Sequence, residues 1–181
     1  MIADLAGGFA PPPDPYQERY VAHQSRKRDV LIELMRERHS TRMFDDTPIP
    51  DDIVAGVIST KDLCPSSCDR QGVTTRIVTA RDEKELLGGV LVGGVGWIHR
   101  TPTVILLFGD PVAYKAGDEA TYMPFIDAGV VVQQFYLAAT AYGLHCSYVN
   151  PNIRLHNRSH FAAVFGDGIY CGAFAMGYPR A

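Results

Sequence analysis

The chain lacks any apolar run of the roughly 18 residues that a membrane-spanning helix needs. Its beginning, MIADLAGGFAPPPDP, has neither the basic end nor the apolar centre of a secretory signal. A cytoplasmic protein without a membrane partner is therefore expected. Cysteine is scarce. Cys64, Cys68, Cys146 and Cys171 are too few and too irregularly placed for the staple framework of a small secreted domain, so reduced thiols are expected. Charge of one sign is lacking as well: a formal net charge of -3 and scattered arginines leave no basic field, which argues against nucleic acid as a partner.

What is present suits one domain. A chain of 181 residues with 46% hydrophobic content can bury one good core but not two. Residues 1–25, with Pro11, Pro12, Pro13 and Pro15, read as a proline-rich N-terminal arm, and 26–181 as the single domain. From Arg26 to Glu37 the residues Val30, Leu31, Leu34 and Met35 recur at helical spacing. A second helix, DDIVAGVISTKDL, has Asp51 or Asp52 as a cap and a forced end at Pro65. Val73 to Thr79 reads as a strand, Glu83 to Leu91 as a short helix, and TVILLF as a strand buried on both faces. TYMPFIDAGVVVQQFYLAATAYG is the longest helix, apolar on nearly every side, so it runs through the middle of the molecule or through an interface. Gly143 suits its end. Two strands follow, HCSYV and IYCGAFAMGY, separated by a polar loop and a short apolar turn, FAAVFG. The mixture points to an α+β sandwich with a central, mainly antiparallel sheet.

Three segments carry chemistry. Arg38-His39-Ser40-Thr41-Arg42 places two guanidiniums and two hydroxyls within five residues, a compact set for an anion, although a basic helix end that complements the helix dipole reads the same way. Cys64-Pro65-Ser66-Ser67-Cys68-Asp69-Arg70-Gln71 offers hydroxyls, a carboxylate and an amide in one turn. That set suits the polar edge of a heterocycle and equally a capping turn. The long helix has Asp127, Ala128 and Gly129 near its beginning, an acid suited to the helix's positive end and small residues suited to close approach. Core packing does not explain its Gln133 and Gln134.

In this order the segments resemble the nitroreductase family of flavin mononucleotide (FMN) enzymes. An Arg-x-Ser-x-Arg/Lys box is matched by Arg38, Ser40 and Arg42, and a Pro-Ser-Ser-x-Asn-x-Gln loop by Pro65, Ser66, Ser67 and Gln71, with Asp69 in place of asparagine. The helix pattern is matched by Asp127, Gly129, Gln133, Leu137, Ala139, Gly143 and Leu144, and a closing Gly-Tyr-Pro by Gly177, Tyr178 and Pro179. The resemblance implies a nitroreductase-like dimer with FMN sites at the interface between two identical chains. Arg38, His39 and Ser40 would hold phosphate and ribityl chain, with Arg180 assisting. Arg42 would sit at the N1 and O2 edge of the ring. Pro65, Ser66, Ser67, Asp69 and Gln71 would complete the partner's site, and Tyr148, Val149 and Asn150 would pass beside the ring. Trp97, His99 and Phe125 are the candidate substrate contacts. The implied reaction passes a hydride from NADH or NADPH through flavin N5 to a nitroaromatic, quinone or enone, with no side chain as nucleophile. A specialised flavin-dependent oxidase or a non-catalytic flavin-binding dimer is the alternative. The sequence departs from the family at Asp69 and where the usual Pro-Trp is Gly72-Val73, and it has few basic residues after the last strand.

Two other patterns compete. Cys64-x-x-x-Cys68 and His156-x-x-x-His160 have zinc-like spacing, but the gap between the pairs exceeds that of a compact finger, and no metal is expected. GGVLVGGVGW lacks the lysine and hydroxyl of a phosphate loop and the third glycine of a dinucleotide fingerprint, so it reads as a bend.

Overall fold

The computed structural model describes residues 15–115 and 117–180. It divides after Arg36 into two units. The first is made by helix α1 (Pro15–Glu37), which starts well before Arg26 and so includes residues that the sequence suggests as extended arm. Proline suits a first helical position because its missing N–H would have no acceptor within the helix. The earlier part of the expected arm lies outside the described residues. Val30, Leu31, Ile32 and Met35 of α1 are all exposed.

The second unit is built on strands β1 (Val73–Val78), β2 (Thr103–Gly109), β3 (His145–Val149) and β4 (Ile169–Gly177). Their order is β1-β2-β4-β3 and every neighbouring pair is antiparallel. Helices α2 (Asp51–Ser59) and α4 (Asp118–Ala141) belong to one core layer, and α3 (Arg81–Val90) and α5 (Arg158–Phe165) to the other. The expected α+β sandwich with an antiparallel sheet is thus the fold observed. Successive side chains of a strand point to opposite faces. Ile105 and Leu107 accordingly pack with Val57, Val131 and Phe135, whereas Val104, Leu106 and Phe108 pack with Leu87, Phe161 and Phe165. Each fully buried side chain of this size contributes about 1.5–3 kcal/mol, so these two layers hold the sheet from both sides.

Local chemistry sets the boundaries. Asp51 and Asp52 fill the first turn of α2, where carboxylates favour the positive end, but the cap position is Pro50 and no side chain caps the helix. A 3-10 turn, Thr60–Leu63, follows, and Cys64 is extended (φ -78, ψ 138), as the residue before a proline prefers. Helix α4 ends as expected at Gly143 (φ 73): the Gly143 N–H donates to Thr140 O and the Leu144 N–H to Ala139 O, the paired closure that a left-handed glycine permits. FAAVFG is not a turn. It forms most of α5, because Phe161 and Phe165, four residues apart, share a buried face with ring centroids 5.0 Å apart. Among the described residues, no helix is long and apolar enough to cross a membrane, and no group of three or more His, Cys, Asp or Glu is placed to hold a metal ion.

Candidate functional site

Immediately after α1 the chain lies along the open edge of the sheet. Ser40 forms a parallel bridge to Cys146, with the Thr41 N–H donating to Cys146 O at 2.9 Å. Phe44 bridges Pro179, with the Asp45 N–H donating to Tyr178 O at 3.0 Å. This pairing brings Arg38, Ser40 and Arg42 beside β3. The Arg38 guanidinium lies 5.2 Å from the ring centre of Tyr136, and that of Arg42 lies 5.9 Å from the ring centre of Trp97. Neither arginine forms a salt bridge among the described residues. An aromatic face steadies a cation without neutralising it, so both charges are left for an outside anion.

Tyr136 of α4 is the hub of this edge. Its hydroxyl accepts the Tyr148 N–H at 2.8 Å and shares a 3.2 Å hydrogen bond with Ser40 Oγ. The Tyr148 N–H is therefore already committed within the chain. Asn150 is exposed just beyond β3, while Val149 is buried. His39 donates from Nδ1 to Glu37 O and stacks on His145 with ring centroids 6.1 Å apart. Beneath the bridge, burial pushes the Cys146 thiol up to about 12, despite the opposing charge of Arg38, so it is no nucleophile near neutrality.

The loop from Cys64 to Gln71 is held differently. Cys68, Asp69 and Gln71 all have left-handed φ values (51, 54 and 51), which cost about 1–3 kcal/mol each for residues with a Cβ and need outside support. Ser66 Oγ accepts the Gln71 N–H at 2.9 Å, and Gln71 Nε2 donates to Cys64 O at 3.0 Å and to Asp69 Oδ1 at 3.1 Å. The Ser67 N–H donates to both carboxylate oxygens of Asp127, at 3.1 and 3.2 Å. Asp127 is not at the helix's positive end: it lies in the third turn of α4, is 4% exposed, and also accepts the Tyr114 hydroxyl at 3.1 Å. Burial, then the Asp127 charge, pushes the Tyr114 phenol well above its ordinary pKa, so it stays protonated and donates. Arg70 pairs with Glu119 and so is not the counter-charge for Asp69.

Residues 35–95 and 90–178 match the sequence model of the nitroreductase family. The chain belongs to that family. Among nitroreductase-fold structures, one from Parabacteroides distasonis, described as an NADH dehydrogenase/NAD(P)H nitroreductase, is 22% identical with a TM-score of 0.72, over 83% of this chain and 88% of that one. A Desulfovibrio desulfuricans nitroreductase in complex with FMN is 23% identical, TM-score 0.70, over 83% and 87%. A Clostridium acetobutylicum NADH oxidase is 16% identical, TM-score 0.71, over 81% and 87%. No curated protein matches the chain.

Measured against the nitroreductase pattern, the absent Pro-Trp has a local counterpart. A side chain at Gly72 would stand 2.8 Å from Ala113 Cβ and 2.9 Å from the Tyr114 ring, so the glycine makes room for the tyrosine that reaches Asp127. The remaining candidates are dispersed. Trp97 is buried against Phe44, with Nε1 donating to Gly93 O at 2.9 Å. His99 faces Gly88 of α3 and lines a charged hollow with Asp46, Lys84 and Arg100. Phe125 is exposed and lines a cavity of about 390 Å³ with Pro151, Ile153, Arg158, Phe161 and Tyr170. Arg180 is exposed near Asp45, whose carboxyl is held down chiefly by hydrogen bonds from Thr47 and least by Arg180. Nothing in the sequence marks Tyr136 or Tyr114 as partners of these segments, because their hydrogen bonds span distant elements.

Proposed function

We propose that this nitroreductase-family protein binds FMN and serves as an oxidoreductase, taking a hydride from NADH or NADPH and delivering it to a small nitroaromatic, quinone or enone. One observation carries the reading: Arg38 and Arg42 flank Ser40 in the segment paired to the sheet edge, resting on Tyr136 and Trp97, with no acid partner among the described residues. A phosphate monoester supplies the charge that Arg38 lacks, and its guanidinium with the Ser40 hydroxyl forms a donor set suited to it, while Arg42 is left for the ring. The residues fit the group.

When bound, FMN would supply the centre that accepts and returns the hydride. Arg38, His39 and Ser40 hold the phosphate and ribityl chain, with Arg180 adding charge. Arg42 would place a fixed cation at the ring edge, where it would stabilise negative charge. Asn150 and Val149 border the ring, and Trp97, His99 and Phe125 meet the substrate. The serine loop, through Pro65, Ser66, Ser67, Asp69 and Gln71, completes the site of a second copy. In support of a homodimer, Tyr122, Ile126, Val130 and Gln133 form an exposed stripe along α4, and Val30, Leu31 and Met35 are exposed on α1. The residues of this chain orient and stabilise, and none attacks the substrate.

Purified protein is expected to be yellow, with a flavin absorption band that bleaches under anaerobic NADH or NADPH. Colourless protein that takes up no added FMN ends the reading.

A further inference from the structure

The serine loop is shaped by the chain's own hydrogen bonds. Its amides and carbonyls are engaged internally: Gln71 N–H with Ser66 Oγ, Gln71 Nε2 with Cys64 O, and Ser67 N–H with Asp127. The Ser67 hydroxyl, by contrast, makes no hydrogen bond among the described residues. Three consecutive supports lie behind the loop. Asp127 receives both the Ser67 amide and the Tyr114 hydroxyl, Tyr114 occupies the gap left at Gly72, and Arg70 pairs with Glu119 at the start of α4. A carboxylate only 4% exposed and without a salt bridge among the described residues is expensive to keep, and an apolar residue of similar size would pack at that point more cheaply. Its two donors instead fix one conformation of a strained segment.

We propose that Asp127 is a positioning residue: braced by Tyr114, it holds the Ser67 amide and so presents the serine hydroxyls of the loop in the geometry that meets the flavin. This rests on the proposed FMN reading, and it makes α4 of one subunit a determinant of cofactor affinity in the other. Gly72 and Tyr114 belong to the same device, the small residue admitting the brace.

Two readouts on protein freed of cofactor test it: FMN affinity by fluorescence titration, and the alkylation rate of Cys68, the exposed thiol of the loop, against the buried Cys64, Cys146 and Cys171. Asp127→Ala leaves the Ser67 amide unsatisfied. It is expected to weaken FMN by about tenfold and to speed Cys68 alkylation at temperatures well below unfolding. Asp127→Asn keeps an acceptor for the amide and is expected to restore both values to within about threefold. Tyr114→Phe, which removes only the brace, falls between and carries the test alone if Asp127→Ala does not fold. Unchanged Cys68 rates and FMN affinity in folded Asp127→Ala overturn the proposal, as does an Asp127→Asn variant no better than Asp127→Ala. A wild type that binds no FMN overturns the functional reading, while the Cys68 rates still judge the hold of Asp127 on the loop.

Discussion

Ser40 and Ser67 stand in two segments that offer similar hydroxyls, yet the chain fixes them by different means. Ser40 is placed by its own backbone, through the bridge to Cys146 and the neighbouring Thr41 amide. Ser67 is placed by a side chain sixty residues away, the carboxylate of Asp127. A backbone-paired segment tolerates changes to its side chains and can spend them on a ligand, which is why Arg38 and Arg42 have no acid partners among the described residues. A loop held by side chains is as stable as its most distant support. The first segment is therefore a place where substitution alters chemistry, and the second a place where substitution alters shape.

Predictions sharpen this contrast, the largest effect first. Phe135 is fully buried in α4, the helix that carries both Tyr136 and Asp127, with its ring 5.6 Å from that of Phe174. Phe135→Ala is expected to cost about 3–5 kcal/mol in denaturant unfolding and to disturb both segments together. Replacing Arg38 and Ser40 by alanine should raise the FMN dissociation constant by about 100-fold, since a charged pair that loses one partner costs about 2–5 kcal/mol. The unfolding midpoint should hardly move, and a large drop would erase the proposed difference between the segments. Gly72→Ala puts a methyl within 2.9 Å of the Tyr114 ring. It should cost about 1–3 kcal/mol in unfolding and loosen the serine loop, with the Arg38 segment unaffected. Asp69→Asn removes a negative charge that Arg70 does not offset and should raise the flavin reduction potential by about 30 mV, a tenfold change in a two-electron equilibrium, as read by dye-coupled titration.

The smallest effect near neutrality concerns pH. The Cys146 thiol ionises near 9.0 when unconstrained and near 12 in the fold, where burial disfavours its charged form. Tyr148, also raised by burial, moves from 10.0 to about 12. Between those values the unfolded chain has lost protons that the folded chain keeps, so rising pH favours unfolding. Stability is expected to fall from pH 9 toward 12, measured as the urea midpoint across that range. A midpoint that rises across that range would contradict the burial of the sheet edge.

Much of this protein was readable because the relevant residues are neighbours in the chain. The run TVILLF announces a doubly covered strand, the glycine at 143 announces a helix end, and Arg38, Ser40 and Arg42 lie close enough in sequence to be seen as one anion site. Helix α5 was hidden, since its polar half, Arg158-Ser159-His160, reads as loop and only the sheet gives Phe161 and Phe165 a surface to bury. Asp127 was visible as a residue but not in its role: helix periodicity places it on a face, whereas its partners, Ser67 and Tyr114, come from two separate loops. By itself the sequence determined the class of fold, the family and the cationic segment, because propensity, periodicity and adjacent charges act over a few residues. Only tertiary structure decided what Tyr136, Tyr114 and Asp127 hold, because a hydrogen bond between distant elements exists only once packing has brought donor and acceptor within 3 Å or so of each other.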